Sequence, residues 1–169
     1  MTIGTELLLG FTIDTNAAEI GRAMAAAGVD IVRRTSVPDR PDAIRAAMQD
    51  ALSRADIVLA TGGLGPTKDD MTKTVVAELF GRRLVHDPAI LVALEERFRR
   101  IGRWPMPAAN RSQADIPEGA VVLPNPRGTA PGLWLQDDAG HTVILLPGVP
   151  HEMLGLLHEQ VLPRLASSS

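Results

Sequence analysis

Apolar runs rich in β-branched residues alternate along the chain with segments of helical periodicity. Residues 30–37 and 56–61 are two such runs, and both predict strands. The second run is short, mostly apolar and followed by glycines, as expected of a strand buried on both faces near the centre of a sheet. This alternation predicts a largely parallel sheet covered on both faces, which is a three-layer α/β/α sandwich.

Residue chemistry marks the ends of the predicted helices. Asn16 followed by Glu19 is typical of a capping box, and the Ala-rich stretch after it ends at Gly28, so residues 17–27 are predicted to form the first helix. Similar signals predict further helices over residues 41–52, 70–80, 87–102 and 151–161.

The C-terminal half departs from this alternation. Residues 133–136 and 142–146 flank the turn DDAG and predict an antiparallel hairpin, so the sheet is expected to be mixed. Residues 103–119 are rich in proline and predict an ordered excursion, with room for a short helix over 108–114. We expect Pro163 to stop the last helix.

Length and composition fit one domain over residues 1–169, with 45% hydrophobic and 22% charged residues. The Ser-rich end, residues 167–169, is expected to fray. A net charge of −3, 3% aromatic residues and no Tyr argue against a nucleic-acid partner. Without Cys there are no disulfides or thiolate metal sites. Because no apolar run is long enough to span a bilayer, and the start does not resemble a signal peptide, we expect no membrane partner and a cytoplasmic location.

The strongest chemical signal is TGGLGPTKDDMT, which joins the strand at 56–61 to the next helix. Gly62, Gly63 and Gly65 permit positive φ and close approach of a ligand, so successive backbone amides can turn toward a phosphate. A purely structural turn is the alternative. Neither the dinucleotide-binding fingerprint nor the P-loop pattern can be written onto the chain.

Asp69 and Asp70 begin the predicted helix and admit two interpretations. They can cap the helix, where carboxylates favour the positive end of the dipole. They can also hold a hard divalent cation, which would remove their repulsion toward a phosphate.

Three further segments, residues 4–10, 124–132 and 147–153, combine glycine or proline turns with an apolar neighbour. Such turns are rigid, which suits ligand binding, although each alone can be a structural turn. Glu6 and Glu152 place carboxylates beside two of these loops.

Other catalytic patterns find no support in the sequence. The zinc-protease pattern that begins at His151 fails because its second His would stand at Gly155. No G-x-S-x-G elbow is present. Three histidines without metal-ligand spacing are expected at the surface: His86, His141 and His158.

Together these segments resemble the N-terminal domain of the competence/damage-inducible protein A (CinA) family, within the MoaB/Mog-like superfamily. The matching blocks are IGTELLLG with DTN after it, TGGLGPTKDDMT, NRSQA, LPNPRGTAPG and LLPGVPHEM, and they cover nearly the whole chain. The resemblance implies an α/β/α fold and a homo-oligomer, either a dimer or a trimer. It also implies a pocket in which Mog-type relatives hold the phosphate of molybdopterin on the TGG turn and the two Asp.

The resemblance implies two alternative functions. CinA-like domains are associated with hydrolysis of the ADP-ribose pyrophosphate by a divalent metal such as Mg²⁺, Mn²⁺ or Co²⁺, and this is the leading hypothesis. A molybdopterin-binding domain without hydrolysis, or one that takes part in attaching the pterin to adenylate, is the alternative. A structural oligomerisation domain is a third possibility, against which the intact motifs argue. Under the first, Asp69 and Asp70 would be metal ligands and catalytic residues, with Glu152 as a base. The candidate ligand-binding residues are Asp14, Asn16, Thr61, Gly62, Gly63, Gly65, Thr67, Asn110, Arg111, Gly128, Thr129, Pro147 and Gly148.

The chain departs from the family pattern in two respects. The family's first strand starts several residues before IGTELLLG, whereas only residues 1–3 precede Gly4 here, which suggests a truncated sequence, a misplaced start or omitted residues and puts the stability of the sheet, not the site, in doubt. Full-length members also carry a second, amidase-like domain. No amidase activity is expected of the residues present here.

Overall fold

The computed structural model describes residues 1–167, so the expected fraying of Ser168 and Ser169 lies outside the described residues. The strands in that range are β1 (Thr2–Ile3), β2 (Ser36–Val37), β3 (Ile57–Thr61), β4 (Leu84–His86), β5 (Asp115–Pro117), β6 (Val121–Leu123), β7 (Gly132–Gln136) and β8 (Thr142–Leu146). The helices are α1 (Thr5–Leu8), α2 (Thr15–Ala26), α3 (Pro41–Leu52), α4 (Thr72–Leu79), α5 (Pro88–Arg100), α6 (Pro150–Leu156) and α7 (Leu162–Ser167). A 3-10 helix spans Ala108–Ala114, and a π turn spans Leu157–Val161.

The main sheet is mixed and has the strand order β2-β1-β3-β8-β7-β6. The strands β2, β1, β3 and β8 run parallel, whereas β7 is antiparallel to β8 and β6 is antiparallel to β7. Helices flank this sheet, which confirms the predicted mixed, mostly parallel α/β architecture and its hairpin. A small antiparallel sheet of β4 and β5 was not predicted.

The two faces of the sheet carry separate apolar clusters, and β8 contributes to both because successive side chains of a strand point in opposite directions. The cluster that includes residues of α3 and α4 contains Ile44, Met48, Val58, Val75, Val76, Val143 and Leu145. The cluster that includes residues of α2 and α6 contains Ile20, Met24, Ile144, Leu146, Met153 and Leu156. All residues of β8 are buried, so this strand lies at the centre of the molecule.

The first long helix is capped by Asp14 and not by Asn16. Helix α2 begins at Thr15, and Asp14 Oδ1 accepts a hydrogen bond from Ala17 N at 3.0 Å. The predicted capping box of Asn16 and Glu19 is therefore wrong. A capping side chain must come from the residue just outside the helix, and Asn16 is already inside it.

Two other predicted helix ends are displaced. The helix predicted from residue 70 begins at Thr72, because the Asp70 side chain folds back onto Thr67 in the preceding turn. The last helix continues past Pro163 to Ser167. Proline clashes with the carbonyl four residues earlier in a regular helix. Here that carbonyl belongs to the π turn Leu157–Val161, whose wider hydrogen-bond spacing gives the ring room.

Only the end of the strand predicted over residues 30–37 forms a ladder. Its partner β1 is two residues long, so β2 pairs through Thr2 with Ser36 and through Ile3 with Val37. Backbone without a partner does not form a strand, which explains why residues 30–35 remain irregular. None of the helices described in residues 1–167 is long and apolar enough to cross a membrane.

We expect Asp14→Ala to lower the free energy of unfolding more than Asp87→Ala. Each substitution removes a helix cap worth about 1 kcal/mol. Asp87 caps α5 through Ala89 N and Ile90 N, with no further side-chain bond among the described residues. Asp14 also accepts a hydrogen bond from Thr2 Oγ1 at 2.7 Å, so its loss should cost about 1 kcal/mol more. Urea unfolding of the two variants and the parent checks this, and equal losses would contradict it.

Candidate functional site

A cavity of about 550 Å³ opens where β1, β3 and β8 end. These strands are parallel, so their carboxyl ends meet at one edge of the sheet, where α/β folds bind ligands. Ile3 of β1 and Thr61 of β3 line the cavity, together with Pro147 and Gly148, which follow β8. The volume lies in the range of small-molecule sites, about 300–1,000 Å³.

The turn after β3 depends on two glycines with positive φ, 105° at Gly62 and 68° at Gly63. A Cβ atom on Gly62 would lie 2.2 Å from Ile3 O, and one on Gly63 would lie 2.0 Å from Thr72 Oγ1. The Thr72 hydroxyl in turn donates to Gly62 O at 2.9 Å. The fold itself therefore requires both glycines. Gly65 does not have the positive φ expected of it.

The backbone amides of this turn are candidate donors to a phosphate. Gly62 N donates to Leu146 O at 3.0 Å, so it is already used. Within residues 1–167, the amides of Gly63, Leu64 and Gly65 donate no hydrogen bond, and all three residues line the cavity. Successive amides of this kind form the concave anion-binding sites known as nests.

Asp69 and Asp70 have different surroundings. Asp70 lines the cavity, and its Oδ2 accepts hydrogen bonds from Thr67 N at 2.9 Å and Thr67 Oγ1 at 2.5 Å. Its Oδ1 accepts no hydrogen bond from the part of the chain described here. Asp69 is exposed and does not line the cavity. The structure thus separates two carboxylates that the sequence presents as a pair.

Asn16 ties the ends of two strands together. Its Nδ2 donates to Thr61 Oγ1 at 3.2 Å and to Gly148 O at 2.8 Å. Since a carbonyl can only accept, the bond to Gly148 assigns the amide nitrogen. Asn16 Oδ1 is buried and has no hydrogen-bond partner among the described residues. Asn16 thus joins β3 to the loop after β8 and leaves one unsatisfied acceptor in a residue of the cavity wall.

The carboxylate of Asp14, predicted to orient a ligand, is already engaged within the protein. Besides its cap to Ala17 N, it accepts from Thr2 Oγ1 at 2.7 Å and lies 3.8 Å from the guanidinium of Arg34. Asp14 lines the cavity, so a ligand would meet a carboxylate already held in place.

Gln113 is a cavity residue that sequence reasoning missed. Its Nε2 donates to Thr129 Oγ1 at 3.1 Å, and its Oε1 accepts from Asn110 Nδ2 at 2.8 Å. Asn110 does not line the cavity and instead positions Gln113, while Arg111 is exposed and does not line it either. The segment NRSQA could have identified Gln113, because Asn110 and Gln113 are three residues apart and therefore lie on one side of a 3-10 helix.

Glu152 enters the cavity from the first turn of α6. Its Oε2 accepts a hydrogen bond from Asn125 Nδ2 at 2.7 Å. A Cβ atom on Gly128 would lie only 1.7 Å from the same oxygen, so Gly128 makes room for Glu152 and does not line the cavity. Arg97 of α5 holds the same loop by donating to two of its backbone carbonyls, each at 2.7 Å.

The charge of the cavity wall is negative. The carboxylates that line it are Glu6, Asp14, Asp39, Asp70 and Glu152, and no Lys, Arg or His among the described residues does so. Burial raises the pKa of Asp39 above its usual value, and the negative charges of Glu6 and Asp70 raise it further. The hydrogen bond from Thr5 N lowers the pKa and partly offsets this rise. No group of three His, Cys, Asp or Glu within residues 1–167 could hold a metal ion by itself. A bound anion would therefore be repelled unless a cation accompanied it.

The cavity brings together most, but not all, of the predicted site residues. Those that line it are Asp14, Asn16, Thr61, Gly62, Gly63, Gly65, Asp70, Thr129, Pro147, Gly148 and Glu152. Those that do not are Thr67, Asp69, Asn110, Arg111 and Gly128. The polar lining residues that were not among the predicted site residues are Glu6, Thr12, Thr15, Asp39 and Gln113. The contribution of each residue to ligand binding stays a prediction.

Lys73 is a buried cation behind the cavity, on α4 and only 8% exposed. Its Nζ donates to Ser112 O in the 3-10 helix that carries Gln113. Burial lowers the pKa of Lys73, and the charges of Asp115 and Asp70 partly oppose this change. Lys73 therefore joins α4 to the helix that supplies part of the cavity wall.

A mixed α/β sheet with a ligand-sized cavity at its strand ends defines the class of this domain. Residues 1–167 match the family described as "Probable molybdopterin binding domain". A CinA-like protein of Gemmatimonas aurantiaca is 53% identical over 165 residues, which are 98% of this chain and 39% of that protein. A CinA-like protein of Gloeobacter violaceus is 48% identical over 165 residues, which are 98% of this chain and 38% of that protein.

Solved structures agree with the sequence matches. The CinA protein of Thermoplasma acidophilum is 39% identical, with a TM-score of 0.84, over 93% of this chain and 90% of that one. The molybdopterin biosynthesis enzyme MoaB of Thermus thermophilus shares the fold, with a TM-score of 0.61 and 23% identity over 99% of this chain and 91% of that one. The chain therefore belongs to the molybdopterin-binding domain family and is CinA-like within it. It spans about two fifths of the length of the curated relatives it matches, 39% for the one from Gemmatimonas aurantiaca.

The contact between Gly63 and Thr72 predicts a coupling that can be measured. Gly63→Ala should destabilise the protein by more than about 1 kcal/mol, because positive φ is costly for alanine and its Cβ would collide with Thr72 Oγ1. Thr72→Ala removes the colliding oxygen. The double variant should therefore lose about 1 kcal/mol less than the sum of the two single losses. Urea unfolding of the four proteins completes the cycle, and additive losses would show that the contact is unimportant.

Lys73 predicts a rise in stability with pH in the alkaline range. Because its pKa is lowered in the folded state, the unfolded chain binds more protons as the pH approaches the ordinary lysine value of 10.5, so the free energy of unfolding should increase with pH there. The sequence has no Cys or Tyr, and Lys68 is its other lysine, so few other groups titrate in this window. Urea unfolding between about pH 8.5 and 10.5 should show the slope, and Lys73→Gln should remove it. A slope that survives this substitution would point to another group.

Proposed function

We propose that this domain binds a nucleotide of the ADP-ribose type and hydrolyses its pyrophosphate with a divalent cation. The proposal rests on one observation: the same cavity is lined by backbone amides that donate no hydrogen bond within the described residues and by a set of carboxylates. Neither feature alone requires a metal. Together they favour a ligand that brings both phosphate and cation.

The phosphate end of the ligand is assigned to the turn after β3. Gly63, Leu64 and Gly65 offer three successive amides without an internal acceptor among the described residues. Backbone amides suit this task because they bind an anion without adding a mobile side chain. The shape of the turn is held by Thr72 and by the requirement for glycine at residues 62 and 63.

The cation is assigned to Asp70, through the carboxylate oxygen that Thr67 does not occupy. Mg²⁺ commonly uses one or two carboxylates and takes its remaining ligands from water and substrate phosphates. The absence of a three-carboxylate cluster within residues 1–167 fits this mode better than a closed protein cage. When bound, the cation would neutralise charge on the pyrophosphate. Mn²⁺ and Co²⁺ are the other candidates, and Asp69 is a less direct ligand because it lies outside the cavity lining.

The remaining carboxylates suit a ligand rich in hydrogen-bond donors. Glu6 and Asp39 line the cavity and can accept from ribose hydroxyl groups. Glu152 is our candidate for the base that accepts a proton from the attacking water, with its Oε2 held by Asn125. Gln113 lies in the same wall, where its amide is held by Asn110 and Thr129.

Binding of molybdopterin without hydrolysis is the second candidate. The description of the family and the similarity in fold to the molybdopterin biosynthesis enzyme MoaB favour it. A pterin phosphate would use the same amides, so the two candidates differ in the cation and not in the phosphate site. In both, we propose a dimer or trimer and a cytoplasmic location. The exposed residues Leu8, Leu9, Phe11 and Ile13, on and after α1, supply an apolar surface for assembly.

Substitution of the two adjacent carboxylates tests the enzymatic proposal. Asp70→Asn should retain an acceptor for Thr67 and melt within a few degrees of the parent, because the amide oxygen can replace Oδ2. It should lose about 100- to 1,000-fold in Mg²⁺-dependent ADP-ribose hydrolysis, as expected for loss of an electrostatic transition-state contribution. Asp69→Asn is the matched control and should lose less. The rate of AMP release measures both variants.

Two further outcomes would count against this proposal. Parent protein that binds a pterin but releases no AMP with Mg²⁺, Mn²⁺ or Co²⁺ would favour the binding module. Equal losses in the two variants would show that lining the cavity does not distinguish Asp70 from Asp69.

A further inference from the structure

The cavity that holds the candidate site also has an apolar part. Most of the lining residues assigned above are polar or belong to the glycine turn, but two exposed branched side chains line the cavity as well: Ile13 is 84% exposed and Val149 is 46% exposed. We call Ile13 and Val149 the aliphatic pair. Neither belongs to the apolar clusters that flank the sheet, so packing of the core does not explain their presence at the cavity.

Backbone hydrogen bonds hold Ile13 at the cavity. Phe11 N and Thr12 N both donate to Glu6 O, at 2.9 and 3.2 Å, so the loop after α1 folds back onto a residue of the cavity wall. At the start of α2, Thr15 N donates to Ile13 O at 2.9 Å. Ile13 therefore belongs to a loop with a defined backbone, and its exposure is a property of the fold.

Val149 is held next to the proposed phosphate site. Its carbonyl accepts two hydrogen bonds from the first turn of α6. Asn16 Nδ2 donates to Gly148 O at 2.8 Å, directly before Val149. Asn16 follows Ile13 by three residues, so this bond joins the two segments that carry the aliphatic pair. Because a Cβ atom on Gly148 would lie 3.4 Å from Gly62 Cα, these segments meet beside the glycine turn.

The chemistry around the aliphatic pair suits a flat nitrogen heterocycle. Such a ring has two apolar faces, which branched aliphatic side chains can cover, and carries its polar atoms at the edge. Thr12 and Thr15 also line the cavity, and their hydroxyl groups make no hydrogen bond within residues 1–167. No Phe or Trp in that range lines the cavity, so the faces of a ring would contact aliphatic groups instead of stacking on an aromatic side chain.

We propose that the aliphatic pair covers the faces of a heterocyclic base while Thr12 and Thr15 bind its edge, and we call these four residues the ring subsite. This inference rests on the proposed function, because a base joined through ribose to a phosphate on the glycine turn would reach the aliphatic pair. A hydroxyl group both donates and accepts, so Thr12 and Thr15 fit the edge of any base. A purine and a pterin share this ring chemistry, and the ligands used below separate them.

Calorimetric titration with AMP and with ribose-5-phosphate, each in the presence of Mg²⁺, tests the ring subsite, because ribose-5-phosphate carries a hydroxyl group in place of the base. The parent should bind AMP more tightly. Ile13→Ser and Val149→Ser should each weaken AMP binding by about tenfold, as expected for loss of a partly covered apolar contact, and should leave the affinity for ribose-5-phosphate unchanged.

The variants are chosen so that folding does not confuse the result. Ile13 and Val149 are both exposed, and a serine at position 149 can cap α6, which has no side-chain cap there. Leu9→Ser is the matched control. Leu9 is 60% exposed in the same loop region but does not line the cavity, so its replacement should change neither affinity.

The outcomes separate this inference from the proposed function. Equal affinity of the parent for AMP and ribose-5-phosphate, or variants that do not distinguish the two ligands, would overturn the ring subsite and leave the phosphate site in place. A loss shared by Leu9→Ser would assign the effect to assembly and would also overturn it. A parent that binds neither phosphate would contradict the proposed function. The ring subsite would then stand only if the parent binds 6-hydroxymethylpterin and Ile13→Ser weakens that binding by a similar factor.

Discussion

The parallel ladder between β3 and β8 is the interaction on which the rest of the structure depends. It pairs Ile57 through Thr61 with Thr142 through Leu146, residue by residue, so both strands end at the same level. The turns that follow are then so close that a Cβ atom on Gly148 would lie 3.4 Å from Gly62 Cα. Asn16 spans the same junction by bonding to Thr61 and Gly148. A shift of this ladder by one residue would separate the glycine turn from the loop after β8.

Patterns of apolar residues and helix-capping chemistry were sufficient to predict much of the fold. The run at 56–61, the helix that begins at Pro41 and the hairpin around DDAG all follow from local sequence, and all are present. The errors occur where a distant partner decides the outcome. Residues 30–35 have strand character but face no strand, and Pro163 is accommodated by a π turn that no local rule indicates.

The site shows the same division between local and long-range information. The glycine turn and most of the lining loops could be recognised because glycine and proline constrain the backbone wherever they occur. Asp39 could not be recognised as a lining residue, because it reaches the cavity from a segment far from the glycine turn in sequence. The difference between Asp69 and Asp70 was equally hidden. It depends on the direction of one side chain, which bonds back to Thr67.

The acidic wall has a consequence for how the domain would respond to its surroundings. Glu6, Asp39 and Asp70 would repel an anion, so under the proposed function a bound cation would improve the site for the phosphate, and a bound phosphate would improve it for the cation. Thermodynamic linkage makes this effect reciprocal: whatever factor the cation adds to phosphate affinity, the phosphate adds to cation affinity. Occupancy would then follow the product of two concentrations instead of either one. Such a cavity would be occupied only when the cation and the phosphate ligand are both present, and it would be nearly empty when either is scarce.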